Sequence, residues 1–82
     1  MSSSPLILVT GATGYIASLL IPRLLERGYR VRALARQPER LKMRSWYPQV
    51  EMVCGDVMEP ESLLAALEGA QTAYYLIHNM TF

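Results

Sequence analysis

The chain has 82 residues, a length that allows one small domain. Hydrophobic residues make up 51% of it and charged residues 18%, a composition typical of globular proteins and not of disordered or fibrous ones. The formal net charge of +1 argues against nucleic-acid binding, and no apolar run approaches the roughly 18 residues that a membrane span requires.

Residues 1–5 carry no basic side chain and precede only a short apolar run, unlike a secretory leader. We therefore expect a flexible N-terminus and a cytoplasmic protein. The first predicted strand covers residues 6–10 and is apolar almost throughout. Such continuous apolar character suits a parallel strand that is covered on both faces.

A glycine-containing turn follows that strand directly and opens a helical pattern. Gly11 can adopt a positive φ at which a Cβ would clash, and Gly14 lets the backbone approach a pyrophosphate closely. The N-terminus of the helix offers unpaired N–H groups and the positive end of its dipole to phosphates. The alternative is a strand-to-helix turn that binds no ligand. The residues that we predict to contact a dinucleotide here are Gly11, Ala12, Thr13, Gly14, Tyr15 and Ile16.

Helix-like and strand-like segments alternate along the rest of the chain. The predicted helices are residues 15–27, 38–46 and 60–67, and the further predicted strands are residues 29–35, 50–54 and 73–77. The only cysteine, Cys54, ends a strand-like run, and we expect it to be a small buried core residue. The apolar residues that we expect to be buried are Ile16, Leu19, Leu20, Ile21 and Leu24 in the first helix and Leu63, Leu64 and Leu67 in the third.

The element order βαβαβαβ predicts an α/β fold, a Rossmann-like doubly wound parallel sheet. We expect four strands in the order 3-2-1-4 and three helices, with the fold incomplete. The topological switch point lies between strands 1 and 4, and ligands bind over the carboxyl ends of the strands there. The turn that begins at Gly11 falls at that crevice.

The spacing from Thr10 to Ala17, Thr-Gly-x-x-Gly-x-x-Ala, resembles the glycine motif of short-chain dehydrogenases/reductases. The likeness is to the extended and atypical branches, which include sugar-nucleotide epimerase-like and NmrA-like proteins. Those branches typically have glycine where this chain has Ala17, a position that mainly permits close packing of the helix on the strand. The resemblance covers only the N-terminal third or so of a typical member, so we expect residues 6–82 to be part of a longer dinucleotide-binding domain.

The end of the second predicted strand bears on the choice of cofactor. An acidic residue there would bond the ribose hydroxyls of NAD and repel a 2′-phosphate, but this chain has Ala35 followed by Arg36. The planar guanidinium of Arg36 suits a 2′-phosphate, and Arg40 could add a second positive charge. We therefore predict NADP rather than NAD, which also resembles the NADP-preferring members of the family. The alternative is that Arg36 is a solvated surface residue.

The family resemblance implies further cofactor contacts. Asp56 and Val57 match the acidic and apolar pair that commonly holds adenine, although Asp56 could instead be a turn residue before the third helix. Leu76 and His78 lie at the exit of the fourth strand, where the resemblance places the backbone near the pyrophosphate and the nicotinamide ribose. A lone histidine such as His78 could equally be a packing or surface residue.

The chain has no Tyr-x-x-x-Lys, the motif with which reductases and epimerases of this family transfer protons. We therefore predict that it is the cofactor-binding part of an oxidoreductase or epimerase-like protein without the catalytic and substrate-binding region. A non-catalytic NmrA-like regulatory module that senses dinucleotides is the alternative, and a scaffold without cofactor is a third possibility. One cysteine and one histidine do not make a metal site. An uncovered fourth strand also predicts self-association through its edge.

Overall fold

The computed structural model describes residues 5–11 and 15–75. Within these residues the four strands are all parallel and form one sheet in the order β3-β2-β1-β4, so the predicted strand order is confirmed. The elements in chain order are β1 (Leu6–Thr10), α1 (Tyr15–Glu26), β2 (Arg30–Ala35), β3 (Glu51–Cys54), α2 (Pro60–Leu67) and β4 (Thr72–Tyr75).

Strand β1 is the centre of the molecule, and all five of its residues are buried. It pairs with β2 on one side and with β4 on the other. Ile7 and Val9 belong to an apolar cluster that includes residues of α1. Leu8 lies in a second cluster with Leu34 of β2 and Ala66 of α2. Because side chains alternate along a strand, one helix covers each face of the sheet.

The buried side of α1 differs from the predicted one. Ala17, Ile21 and Leu24 are buried, whereas Ile16 and Leu19 are 58% and 55% exposed. Spacings of four and three residues place the three buried residues on one side of the helix. The small Ala17 packs in the same cluster as the alanines of β2, so the helix axis comes close to the sheet on that side. The helix is continuous through Pro22, which lies inside it.

The predicted second helix is wrong, since residues 38–46 do not form an α-helix. The structure has a 3₁₀ helix at Pro38–Leu41 and another at Tyr47–Gln49. Only Leu41 and Trp46 are buried among the predicted helical positions, and Met43 is 94% exposed. Two residues five positions apart lie about 140° apart around an α-helix, so a helix could not bury both on one face. Short turns place both side chains in the core.

Helix α2 meets the sheet through Leu63, Ala66 and Leu67. Leu64, which we predicted to be buried, is exposed. Positions i, i+3 and i+4 form one side of a helix, and Leu64 lies outside that set. The predicted buried side is thus correct for two leucines and wrong for the third.

Arg32 of β2 binds the C-terminal end of α2. Its Nη1 donates to the carbonyl oxygens of Ala66 at 2.7 Å and of Glu68 at 2.6 Å. Its Nε lies 3.2 Å from Oε1 of Glu51, an ion pair without the alignment of a hydrogen bond. The Arg32 side chain is only 14% exposed. Carbonyl groups at a helix C-terminus lack intrahelical partners, so this guanidinium satisfies two of them and joins β2, β3 and α2.

We expect Arg32→Met to lower the free energy of unfolding by about 2 kcal/mol, because carbonyl groups of α2 lose their charged donor. Urea denaturation followed by circular dichroism measures the change. Arg44→Met is the matched control, since Arg44 is exposed, and should stay within about 0.5 kcal/mol of the unsubstituted chain. Equal midpoints for the two variants would contradict the bridging role of Arg32.

Candidate functional site

The carboxyl ends of the four described strands lie at one edge of the sheet, because the strands are parallel. These ends are Thr10, Ala35, Cys54 and Tyr75. From β1 the chain passes through α1 on one face to β2, and it reaches β4 through α2 on the other face. The strand order therefore reverses between β1 and β4, where open α/β sheets bind their ligands.

Gly11 follows β1 directly and has a φ of +69°, so the predicted positive φ is confirmed. A Cβ would strain this conformation, which turns the chain sharply from the strand toward α1. The twelve-residue α1 begins at Tyr15, so its N-terminus faces the same edge of the sheet. This arrangement fits a bound pyrophosphate.

The structure describes some of the residues predicted to contact the cofactor, but not all of them. Ala12, Thr13 and Gly14 lie outside the described residues, as do Leu76 and His78 after β4. Ile16 lies exposed in the first turn of α1. Ala17 is fully buried against the sheet, as expected for a position that permits close packing.

Thr10, the last residue of β1, lies beside Gly11 and is not among the predicted cofactor contacts. It is 1% exposed, and its Oγ1 donates to the carbonyl oxygen of Tyr74 at 3.2 Å. This hydrogen bond joins β1 to β4 at the switch point, one residue before Gly11. The only sequence signal was a polar residue that ends an otherwise apolar strand.

Arg36 follows the end of β2 and is exposed at the carboxyl edge. The thiol of Cys54 donates a weak hydrogen bond to the carbonyl oxygen of Arg36 at 3.5 Å. The prediction of a buried Cys54 is wrong, because its side chain is exposed. Within the described sheet, β3 has a neighbour on one side only, and Cys54 is its last residue. That position at the corner of the sheet lies beyond the cover of both helices.

Asp56 forms the turn between β3 and α2. Its Oδ1 accepts a hydrogen bond from the Met58 N–H at 2.9 Å, and its carbonyl oxygen accepts one from the Glu59 N–H, also at 2.9 Å. One carboxylate oxygen thus has the alternative role predicted for Asp56, that of a turn residue before α2. Val57 is half-buried and packs against the cluster that contains Leu34. A contact of either side chain with adenine stays a prediction.

The structure brings Gly11, Arg36 and Asp56 to the same edge of the sheet, at the ends of three different strands. Among the described residues, no group of three or more histidine, cysteine, aspartate or glutamate side chains could hold a metal ion. No helix within the ranges 5–11 and 15–75 is long and apolar enough to cross a membrane.

Comparison with known proteins points to nucleotide binding. A family model described as NAD(P)H-binding matches residues 11–79. Dihydroflavonol 4-reductase of Callistephus chinensis is 37% identical over 87 residues, which cover 98% of this chain and 24% of the reductase. The chain spans a quarter or less of the length of the curated relatives that it matches.

Solved structures share the fold. A Rossmann-fold NAD(P)-binding family protein from Shigella flexneri superposes with a TM-score of 0.82 at 24% identity, covering 94% of this chain and 39% of that one. A short-chain dehydrogenase/reductase superfamily protein from Agrobacterium tumefaciens, solved with bound NAD, has a TM-score of 0.72 at 25% identity and covers 94% and 21%. The resemblance inferred from the glycine motif is therefore confirmed.

Cys54 offers a direct check on the geometry of this edge. Because its thiol is exposed, we expect the folded chain to react with Ellman's reagent at a rate within about tenfold of the rate in urea. The measurement is simple because the chain has one cysteine, so the expected yield is one thiolate per chain. A thiol that reacted only on unfolding would show that the end of β3 is covered.

Proposed function

This chain belongs to the NAD(P)H-binding family, and from that premise we propose that it binds NADPH in preference to NADH. In this proposal the cofactor lies over the carboxyl edge of the sheet, with its pyrophosphate beside Gly11 and the N-terminus of α1. The observation that carries the proposal is the positive φ of Gly11 at the switch point between β1 and β4. We assign the remaining phosphate contacts to residues 12–16.

The preference for NADPH rests on the charge at the end of β2. Arg36 is exposed there, no carboxylate lies between the start of β2 and Glu39, and the exposed Arg40 adds a second positive charge. A guanidinium binds a 2′-phosphate with charge-assisted hydrogen bonds, which a ribose hydroxyl cannot match. We assign the adenine to the neighbourhood of Asp56 and Val57.

We assign the pyrophosphate and nicotinamide ribose to the segment after β4, with Leu76 and His78 as the contacting residues. The 2′-phosphate lies toward β2 and the nicotinamide toward β4, so the dinucleotide crosses the edge of the sheet. This orientation follows from the switch point, since each half of a dinucleotide occupies one side of it.

The role of the chain is then to hold the cofactor for a reductase or epimerase-like protein. A curated relative is named as a reductase, and this chain has no Tyr-x-x-x-Lys of its own. We propose that the chain alone binds NADPH without reducing a substrate. We also propose a cytoplasmic location for the protein. An NmrA-like sensing role is the alternative, and it requires the same binding site.

Arg36→Ala tests the cofactor preference. We expect the Kd for NADPH, measured by calorimetry, to rise about tenfold, because the 2′-phosphate loses its charged partner. The Kd for NADH should change by less than about twofold, since NADH has no 2′-phosphate. Arg44→Ala is the control for removal of an exposed arginine from the same loop and should leave both constants unchanged.

An equal loss for both cofactors in Arg36→Ala would contradict the specificity argument. If the folded, unsubstituted chain bound neither NADPH nor NADH, the cofactor-binding proposal itself would fail and the scaffold role would remain. Circular dichroism on the same samples establishes that the chain is folded.

We also propose that copies of the chain associate through the edge of β4. This strand pairs with β1, and in the described part of the chain no strand pairs with its other edge. Thr72, Ala73 and Tyr74 are exposed. An uncovered strand offers N–H and C=O groups to a second chain, and apolar side chains beside it favour that contact.

We expect the mass of the chain in light scattering to rise with concentration and Ala73→Lys to suppress that rise, because a lysine on an edge strand opposes pairing. Met43→Lys is the matched control, since Met43 is exposed far from β4 in sequence and should not alter association. A monomeric mass across the whole concentration range would contradict the proposal.

A further inference from the structure

Gly55, the residue after β3, lies where a side chain would meet tight contacts. An ideal Cβ on this residue would lie 2.9 Å from Cδ1 of Leu34 and 3.0 Å from Cβ of Ser62. The Ser62 Oγ would be 3.1 Å away. Leu34 is buried in β2 and Ser62 lies in the first turn of α2. The N-terminal end of α2 therefore lies close to the sheet at Gly55, and a Cβ there would require Leu34 or Ser62 to shift.

Hydrogen bonds tie the turn at residues 56–59 to that end of α2. The Ser62 hydroxyl donates to Oε1 of Glu59 at 3.1 Å, and the Leu63 N–H donates to the Glu59 carbonyl oxygen at 3.1 Å. The Asp56 carbonyl oxygen and carboxylate accept the two N–H groups described above. A displacement of α2 would thus carry Asp56 with it.

The other side of Gly55 is fixed to the sheet. Its N–H donates to the Ala35 carbonyl oxygen at 3.0 Å and continues the pairing of β3 with β2. Since β2 is held between β1 and β3 and Leu34 is buried, we expect a Cβ on Gly55 to displace Ser62 and the N-terminal end of α2 more than the sheet. Overpacked contacts are relieved by shifts of side chains and backbone.

We propose that Gly55 is a positioning residue for the adenine end of the cofactor, an inference that rests on the proposed function. Its missing Cβ sets the height of Asp56 and Val57 above the carboxyl edge of the sheet. Val57 packs on the cluster of Leu34, so the same contact fixes both members of the pair. Gly55 itself touches no cofactor and acts through α2.

The test is Gly55→Ala with adenosine 2′,5′-bisphosphate as the probe, measured by calorimetry. We expect the Kd to rise at least about tenfold, because hydrogen bonds and stacking weaken when their groups shift by a fraction of an ångström. Gly69→Ala is the matched control at the other end of α2. Its φ of +82° makes alanine strained, but its Cβ would meet no atom within 4 Å. It should lose stability and keep its affinity within about twofold.

A second pair of variants covers the case in which Gly55→Ala does not fold. Ser62→Val enlarges the opposite side of the same contact and should also weaken binding of the probe, whereas Ser62→Gly in the Gly55→Ala background should restore it. A folded Gly55→Ala or Ser62→Val with unchanged affinity, or a loss no larger than that of Gly69→Ala, would overturn the inference. If the unsubstituted chain did not bind the probe, the proposed function would fail and this inference with it.

Discussion

The burial of β1 on both faces is the constraint from which the rest of the structure follows. A strand without solvent contact needs neighbours on both edges and a helix on each face, and β2, β4, α1 and α2 supply them. The chain can leave such a strand only at its ends. At the carboxyl end it leaves through Gly11, which turns it onto α1. That turn lies at the switch point between β1 and β4, where we propose that the nucleotide binds.

Arginines near the amino ends and the carboxyl ends of the strands have different roles. Near the amino edge, Arg32 is bound to carbonyl groups of α2 and lies by Glu51, so its charge stabilises the fold. At the carboxyl edge, Arg36 is exposed and its guanidinium is in contact with solvent. Two arginines four residues apart on one strand and its exit therefore have opposite environments. One is used within the protein, and the other is available to a ligand.

The strand order and the glycine turn could be predicted from the sequence because both depend on local patterns. The apolar run of β1 and the glycine that follows the strand can be recognised in the sequence, and parallel strands with short connections allow few topologies. The sequence pattern was a poorer guide to which apolar residues at the borders of the packed helix and sheet surfaces are exposed. Leu19 and Leu64 have helical spacing but lie outside the contact with the sheet, and Cys54 ends an apolar run yet lies at a corner. The Thr10 hydrogen bond and the close approach at Gly55 depend on residues distant in sequence, so no local pattern indicates them.

The contact between Thr10 and Tyr74 joins residues 64 positions apart. Closing so long a loop costs chain entropy before any contact is gained, and parallel pairing of this kind is slow. The junction of β1 and β4 at the switch point therefore depends on contacts between distant parts of the chain. A nucleotide that binds at this junction would bind only chains in which β1 and β4 are paired. Such a ligand raises the free energy of unfolding by mass action, because it binds the folded state alone.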